Sequence, residues 1–171
     1  HDLEDYSLVV IPMAYMMRAG FAERLKNYVH NGGTAVMTYW SGIVNESDLC
    51  HLGGVPGEGL RDVFGVLEEE TQCYYPHEQV KIKVEGKNPL NLPDEYHARD
   101  ICSVIHAEGA EVLARYAEEY FTGSPALTLN SHGAGQAYYM ASRNDQGFLE
   151  SFYRGLVESA GIRPVFDGDL P

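Results

Sequence analysis

The chain has 171 residues, enough for one well-filled core and too few for two ordinary domains. Hydrophobic residues make up 44% and aromatic residues 11%, so a folded globular protein is expected rather than a disordered chain. Lys and Arg number 12 against 25 Asp and Glu, and the formal charge of -13 argues against nucleic acid or an anionic membrane as partner, since both need a cationic footprint.

No apolar stretch approaches the roughly 20 residues of a membrane-spanning helix, and the N-terminus lacks the charged-then-apolar pattern of a signal peptide. Cys50, Cys73 and Cys102 lie far apart, without zinc-site spacing or the even count of a disulfide scaffold. Free thiols in a reducing compartment are expected, hence a cytoplasmic protein. The chain opens HDLEDYSLVV, with no Met and little lead-in to an apolar run, which reads as a piece of something larger.

Taken in order, Ser7 to Pro12 is a short, branched apolar run that suits a strand buried on both faces of a parallel sheet. A helix follows, with Phe21, Leu25, Tyr28 and Val29 at helical spacing and Asn31-Gly32-Gly33 as its stop. Thr34 to Tyr39 makes a second strand, completing a right-handed βαβ unit. Beyond Gly54, GEGLRDVFG predicts a short helix with Leu60, Val63 and Phe64 inward. Strands are expected at Gln79–Val84, Ile101–His106, Glu111–Tyr116 and Ala126–Asn130, and EGKNPLNLPDEYH is expected to be a surface loop. SHGAGQAYYMAS reads as a β-hairpin, and a last helix runs from about Asp145 to Ala160 with Phe148, Leu149, Phe152, Leu156 and Val157 on one face, ended by Gly161. There is no internal repeat.

Chemistry is sparse. The Gly133-x-Gly135 pair opens an alternating β segment rather than a helix, so it predicts a hairpin turn and no phosphate cradle. None of the three cysteines sits on a strand-to-helix elbow flanked by small residues, as a nucleophile on an open α/β sheet would. Ser41 does follow a strand, but Trp40 before it and Ile43 and Val44 after it are poor elbow residues. The seven histidines are scattered singly, and the acidic runs, Glu68-Glu69-Glu70 among them, are read as solvated faces. Asn45-Glu46-Ser47 fits a glycosylation acceptor, a tripeptide too common to carry weight. No catalytic, cofactor-binding or metal-ligating residue is assigned.

The segments DYSLVVIPMAYMM, AERLKNYVHNGGTAVMTYWSGIVNESDLCHLGGVPG, GLRDVFGVLEEE and AEVLARYAEEYFTGSPALTLNSHGAGQAYYMAS, with the closing helix, resemble the middle domain of family 42 glycoside hydrolases, the bacterial β-galactosidases. The most specific part is TYWSGIVNESDLCHLGG followed by PGEGLR and EEE. The resemblance implies an α/β fold, flavodoxin-like and akin to class I glutamine amidotransferases: an open sheet with helices on both faces, plus antiparallel strands in the C-terminal half. It implies a single non-catalytic trimerisation domain over residues 1–171, whose partners are its own catalytic barrel and identical subunits in a homotrimer. The barrel, typically about 250 residues, carries the two catalytic glutamates and has no room here. Family members usually have a further strand and helix before the DLEDYSLVVIP segment, so this domain is expected to lack them, and residues 71–100 are the least family-like.

The stretch after the second strand is then expected to be a long connection at the carboxyl end of a parallel strand, facing the barrel or a neighbouring subunit. Its candidate contact residues are Tyr39, Trp40, Ser41, Asn45, Glu46, Asp48 and His51. Tyr39 and Trp40 read equally well as residues that close the core beneath the loop. A stand-alone amidotransferase-like or small-ligand-binding module is the alternative function.

Overall fold

The computed structural model describes residues 2–86 and 88–163. The readings that touch His1 and Lys87 lie outside that range. The first apolar run forms strand β1 (Leu8–Ile11), the amphipathic stretch forms helix α1 (Phe21–His30), and the next run forms β2 (Thr34–Thr38). β1 and β2 pair in parallel, as the βαβ reading requires. α1 buries Ala22, Leu25, Tyr28 and Val29, a spacing of three and four that turns one stripe to the sheet. β1 is less covered than expected. It ends the strand order, and Val10 is 39% exposed, so it is not buried on both faces.

Helix α2 (Leu60–Phe64) buries Leu60, Val63 and Phe64 and stops at Gly65, whose φ of 62° is the left-handed conformation that a helix terminus favours in glycine. The chain then builds β3 (Val66–Cys73), β4 (Val80–Val84), β5 (Glu95–Ala107), β6 (Glu111–Tyr116), β7 (Pro125–His132), β8 (Gly135–Met140) and β9 (Ser142–Asn144), and closes on α3 (Gln146–Ser159). These strands form one nine-stranded sheet in the order β1-β2-β8-β7-β6-β4-β5-β3, with β9 paired to β5. β8 lies parallel to β2, and the remaining pairs are antiparallel. β5 is long enough to bond β4 through its first residues, β3 through its last, and β9 along the other edge. The antiparallel strands therefore wrap from β8 round to β9, its own continuation.

The hairpin expected at Gly133 and Gly135 is the β7–β8 turn. Gly135 permits a close approach, because a Cβ there would lie 2.0 Å from the Val29 carbonyl oxygen and 2.4 Å from that of Gly33. The start of β8 is thus pressed against the end of α1. α3 begins where the sequence indicates, with Asp145 as N-cap accepting from the Phe148 N–H at 2.9 Å.

Two apolar cores lie on the two faces of the sheet. One holds Leu25 and Val29 of α1 with Leu60, Val63 and Phe64 of α2; the other holds Phe148, Phe152 and Leu156 of α3 with Tyr96, Tyr116 and Tyr138. The fold is mixed α/β, with few helices, set on both faces.

Two further expectations fail. EGKNPLNLPDEYH is not simply a surface loop: Leu90 and Leu92 are 3% and 5% exposed, and the segment's end belongs to β5. The Asn88 side chain holds it by bonding both the N–H and the carbonyl of Leu92, standing in for a strand partner. The acidic run belongs to β3, a strand not anticipated, and Glu68 is buried.

Candidate assembly surface

Where β2 ends, the chain leaves the sheet in a turn with Trp40 at φ 57° and Gly42 at φ 66°. Ser41 is fully buried, and its hydroxyl oxygen accepts from the Ala14 N–H at 3.0 Å. Gly42, Ile43 and Val44 donate backbone N–H groups to Ala14 and Tyr15, so the segment after β1 and the loop after β2 are stitched together. Val44 bridges Met16 on one side and Cys50 on the other. Between them the Asn45 side chain accepts from the Ser47 and Leu49 N–H groups at 2.9 and 3.1 Å, an Asx-type turn that fixes the loop's shape.

This arrangement exposes a band of large apolar side chains. Met13, Tyr15, Met16 and Trp40 are each 40–46% exposed, Leu49 is 63% exposed, and Leu52 is wholly outside the fold. The rings of Tyr15 and Trp40 meet edge to face, with centroids 5.7 Å apart. Desolvation, and then the negative charge of Asp48, push the Tyr15 phenol above its ordinary value of 10.0. Large apolar side chains exposed together, rimmed by polar groups, make this the candidate docking surface.

The seven residues singled out in the sequence separate. Trp40, Glu46 and Asp48 are exposed on this band. Ser41 and Asn45 are committed to the backbone, and the His51 ring lies over Gly57, where a Cβ would come within 2.1 Å of it. Tyr39 goes the other way. It is 8% exposed and lines a small cleft with Arg143, Asn144, Leu149 and Tyr153 at the carboxyl ends of β2 and β8. Burial raises its pKa, opposed by the Arg143 charge. Tyr39 therefore closes the core, whereas Trp40 faces outward.

Met13, Tyr15, Met16, Leu49 and Leu52 were missed. The fold splits the MAYMM run: Met13, Tyr15 and Met16 face outward while Met17 is 4% exposed, and no period of two or 3.6 separates them in the sequence. Cys50 and Cys73 are exposed; Cys102 lies within β5, and burial pushes its thiol up to about 12. None occupies a strand-to-helix elbow. Among the described residues no three His, Cys, Asp or Glu side chains are grouped to hold a metal, and no helix is long and apolar enough to cross a membrane.

A buried polar cluster was also missed. The Glu68 carboxylate accepts from the Tyr139 hydroxyl, from Ser103 Oγ at 2.8 Å and from Thr71 Oγ1 at 3.0 Å, and the Glu68 N–H donates to Val55 at 2.7 Å. That last bond ties the far end of the loop to β3. Arg61 adds a second tie, donating to the Gly53 carbonyl at 2.7 Å while its other nitrogens pair with Glu108. The Arg61 partner holds the Glu108 carboxyl below its ordinary range.

The chain is similar over its whole length to one group of proteins. The family profile of the β-galactosidase trimerisation domain matches residues 1–163. The β-galactosidase Pbg of Clostridium perfringens is 49% identical over 170 residues, covering 99% of this chain and 24% of that protein. Among solved structures, the cold-adapted β-galactosidase of Rahnella sp. R3 superposes with a TM-score of 0.94 at 44% identity, covering 100% of this chain and 25% of that one. The β-galactosidase of Bacillus circulans sp. alkalophilus gives 0.93 at 45% identity, covering 98% and 24%. The chain thus spans about a quarter of the length of the relatives it matches. It belongs to the β-galactosidase trimerisation domain family.

Proposed function

We propose that residues 1–171 form a single non-catalytic assembly domain of a bacterial β-galactosidase, a cytoplasmic enzyme hydrolysing terminal β-D-galactosides with retention. Its partners are its own catalytic barrel and identical subunits in a homotrimer. The observation that carries this reading is one of proportion: the similarity runs the full length of this chain, yet the chain is only 24% of the galactosidase Pbg. Three quarters of such a protein lies outside these residues, which leaves room for a barrel of about 250 residues. Support also comes from the exposed Tyr15, Trp40, Leu49 and Leu52, large apolar side chains on the surface of the kind that another protein surface covers.

In finer classification the fold reads as flavodoxin-like and akin to glutamine amidotransferases. The parallel β1-α1-β2 unit, β8 parallel beside it and helices on both faces support that label. The net charge of -13 supports protein rather than nucleic acid or anionic lipid as partner.

Sedimentation equilibrium of the full chain that carries these residues tests the assembly role. The expected mass is three times that of one chain across the concentration range. A single-chain mass throughout would overturn it.

A further inference from the structure

A ring of three cannot be built from a patch that meets its own copy, because self-complementary contacts generate two-fold symmetry; a three-fold axis joins two different patches. If this domain closes a trimer through its own surface, that surface carries a complementary pair.

The first member is a groove beside the start of α1. Ile11 and Met17, 6% and 4% exposed, form its floor with Phe21, and exposed Arg18 and Arg24 stand on its rim. Its volume is about 240 Å³, and no carboxylate lines it. In a chain with 12 basic and 25 acidic residues this is a local inversion of charge. Among the described residues neither arginine is in an ion pair, so both guanidinium groups remain available to an acidic partner.

The second member is the Asn45–Leu52 loop. It carries Glu46 and Asp48 together with Leu49 and Leu52, the two most outward leucines of the described chain, which nothing in the fold covers. The Asn45 turn preorganises it, so little conformational freedom is lost on docking. The two patches flank one segment, since Met16 lines the groove and bridges to Val44 at the loop's root. Adjoining patches suit a contact near a three-fold axis, where each copy gives its loop to one neighbour and receives a loop from the other.

We propose that the Asn45–Leu52 loop of one copy seats in the Ile11–Arg24 groove of the next, with leucine side chains on the apolar floor and Glu46 and Asp48 against Arg18 and Arg24. This rests on the trimer reading above and names its contact.

The test is a charge swap in the full chain, read by sedimentation equilibrium with far-UV circular dichroism to verify folding. Arg18→Glu with Arg24→Glu sets acid against acid, and Glu46→Lys with Asp48→Lys sets base against base. Each weakens assembly on the order of a hundredfold, because like charges placed together at a contact cost several kcal/mol. All four changes in one chain restore the trimer, since every contact again joins opposite charges. An equimolar mixture of the two reversed chains does not restore it, because alternation around an odd ring leaves one like-charged contact. Where a reversal prevents folding, Arg18→Gln with Arg24→Gln replaces it, with an expected weakening of about tenfold. Trimers undisturbed by either reversal would overturn the proposal while the trimer reading stood, as would failure of the fourfold swap to recover assembly. A wild-type protein that is not a trimer would remove both.

Discussion

The loop after β2 and the strand β3 contain similar side chains and put them to opposite uses. In the loop, the groups that look reactive are spent on holding the backbone. Ser41 accepts from Ala14, Asn45 accepts from Ser47 and Leu49, and what remains outward is mainly apolar or acidic surface. In β3, three consecutive glutamates look like a solvated face, yet Glu68 is 7% exposed and accepts from three hydroxyls, while Glu69 pairs in the open with His106. Neighbouring residues on a strand point to opposite faces, and a register shift between Glu68 and Glu70 adjusts the pairing there. The face that the backbone assigns, rather than the residue type, decides whether a carboxylate meets water or the core.

The largest expected contrast lies within the loop itself, between Tyr39 and Trp40. Tyr39→Ala removes a buried aromatic side chain and should cost about 3–5 kcal/mol in urea unfolding. Trp40→Ala trims an exposed ring and should cost less than about 1 kcal/mol while weakening assembly of the full chain. Equal losses of folding stability in both variants would mean that Trp40 is a core residue and that the outward face of this loop has been misassigned.

The two glutamates of β3 sharpen the other side of the comparison. Glu68→Ala leaves the buried Tyr139 and Ser103 hydroxyls without their shared acceptor, at a cost of about 3 kcal/mol. Glu69→Ala removes an exposed pair to His106 and should change stability by less than about 0.5 kcal/mol. Thermal unfolding of both variants side by side gives the answer, and a Glu68 variant no less stable than the Glu69 one would return the acidic run to a solvated face.

The parts legible in the sequence were those whose burial is set locally. α1, β2 and α3 announce themselves by period and cap, and β6 spans Glu111–Tyr116 as expected, because each needs only its own residues to define an apolar face. Glu68 was not legible because two of its donors, Ser103 and Tyr139, lie far along the chain on β5 and β8, and only the pairing of the strands brings them together. Leu90 and Leu92 were hidden by their prolines and asparagines, which signal a loop correctly but say nothing about what lies beneath α3; Gly155 supplies that approach, its Cβ position lying 2.6 Å from the Leu90 carbonyl oxygen. The outward face of the candidate surface was half legible, in that Trp40, Glu46 and Asp48 are exposed. Met13, Tyr15, Leu49 and Leu52 depended on how two loops were stitched edge to edge.

The smallest expected effect concerns two histidines that the sequence scatters and the fold unites. His30 ends α1, His132 ends β7, and their ring centroids are 5.9 Å apart. Partial burial lowers the His132 pKa below 6.5, helped by the charges of His30 and Lys26 and opposed by Asp62. The folded state therefore favours neutral His132. Above about pH 6.5 the group is neutral in folded and unfolded chains alike and has no effect; below it the unfolded chain takes up the proton first, so stability falls as pH drops toward the folded pKa. His132→Gln should flatten the fall in Tm between pH 7 and pH 5 without altering Tm at pH 8. Identical pH slopes in the two proteins would show that this pair is as solvated as its spacing in the sequence implies, and that the β7–β8 turn is held to α1 by the Gly135 approach alone.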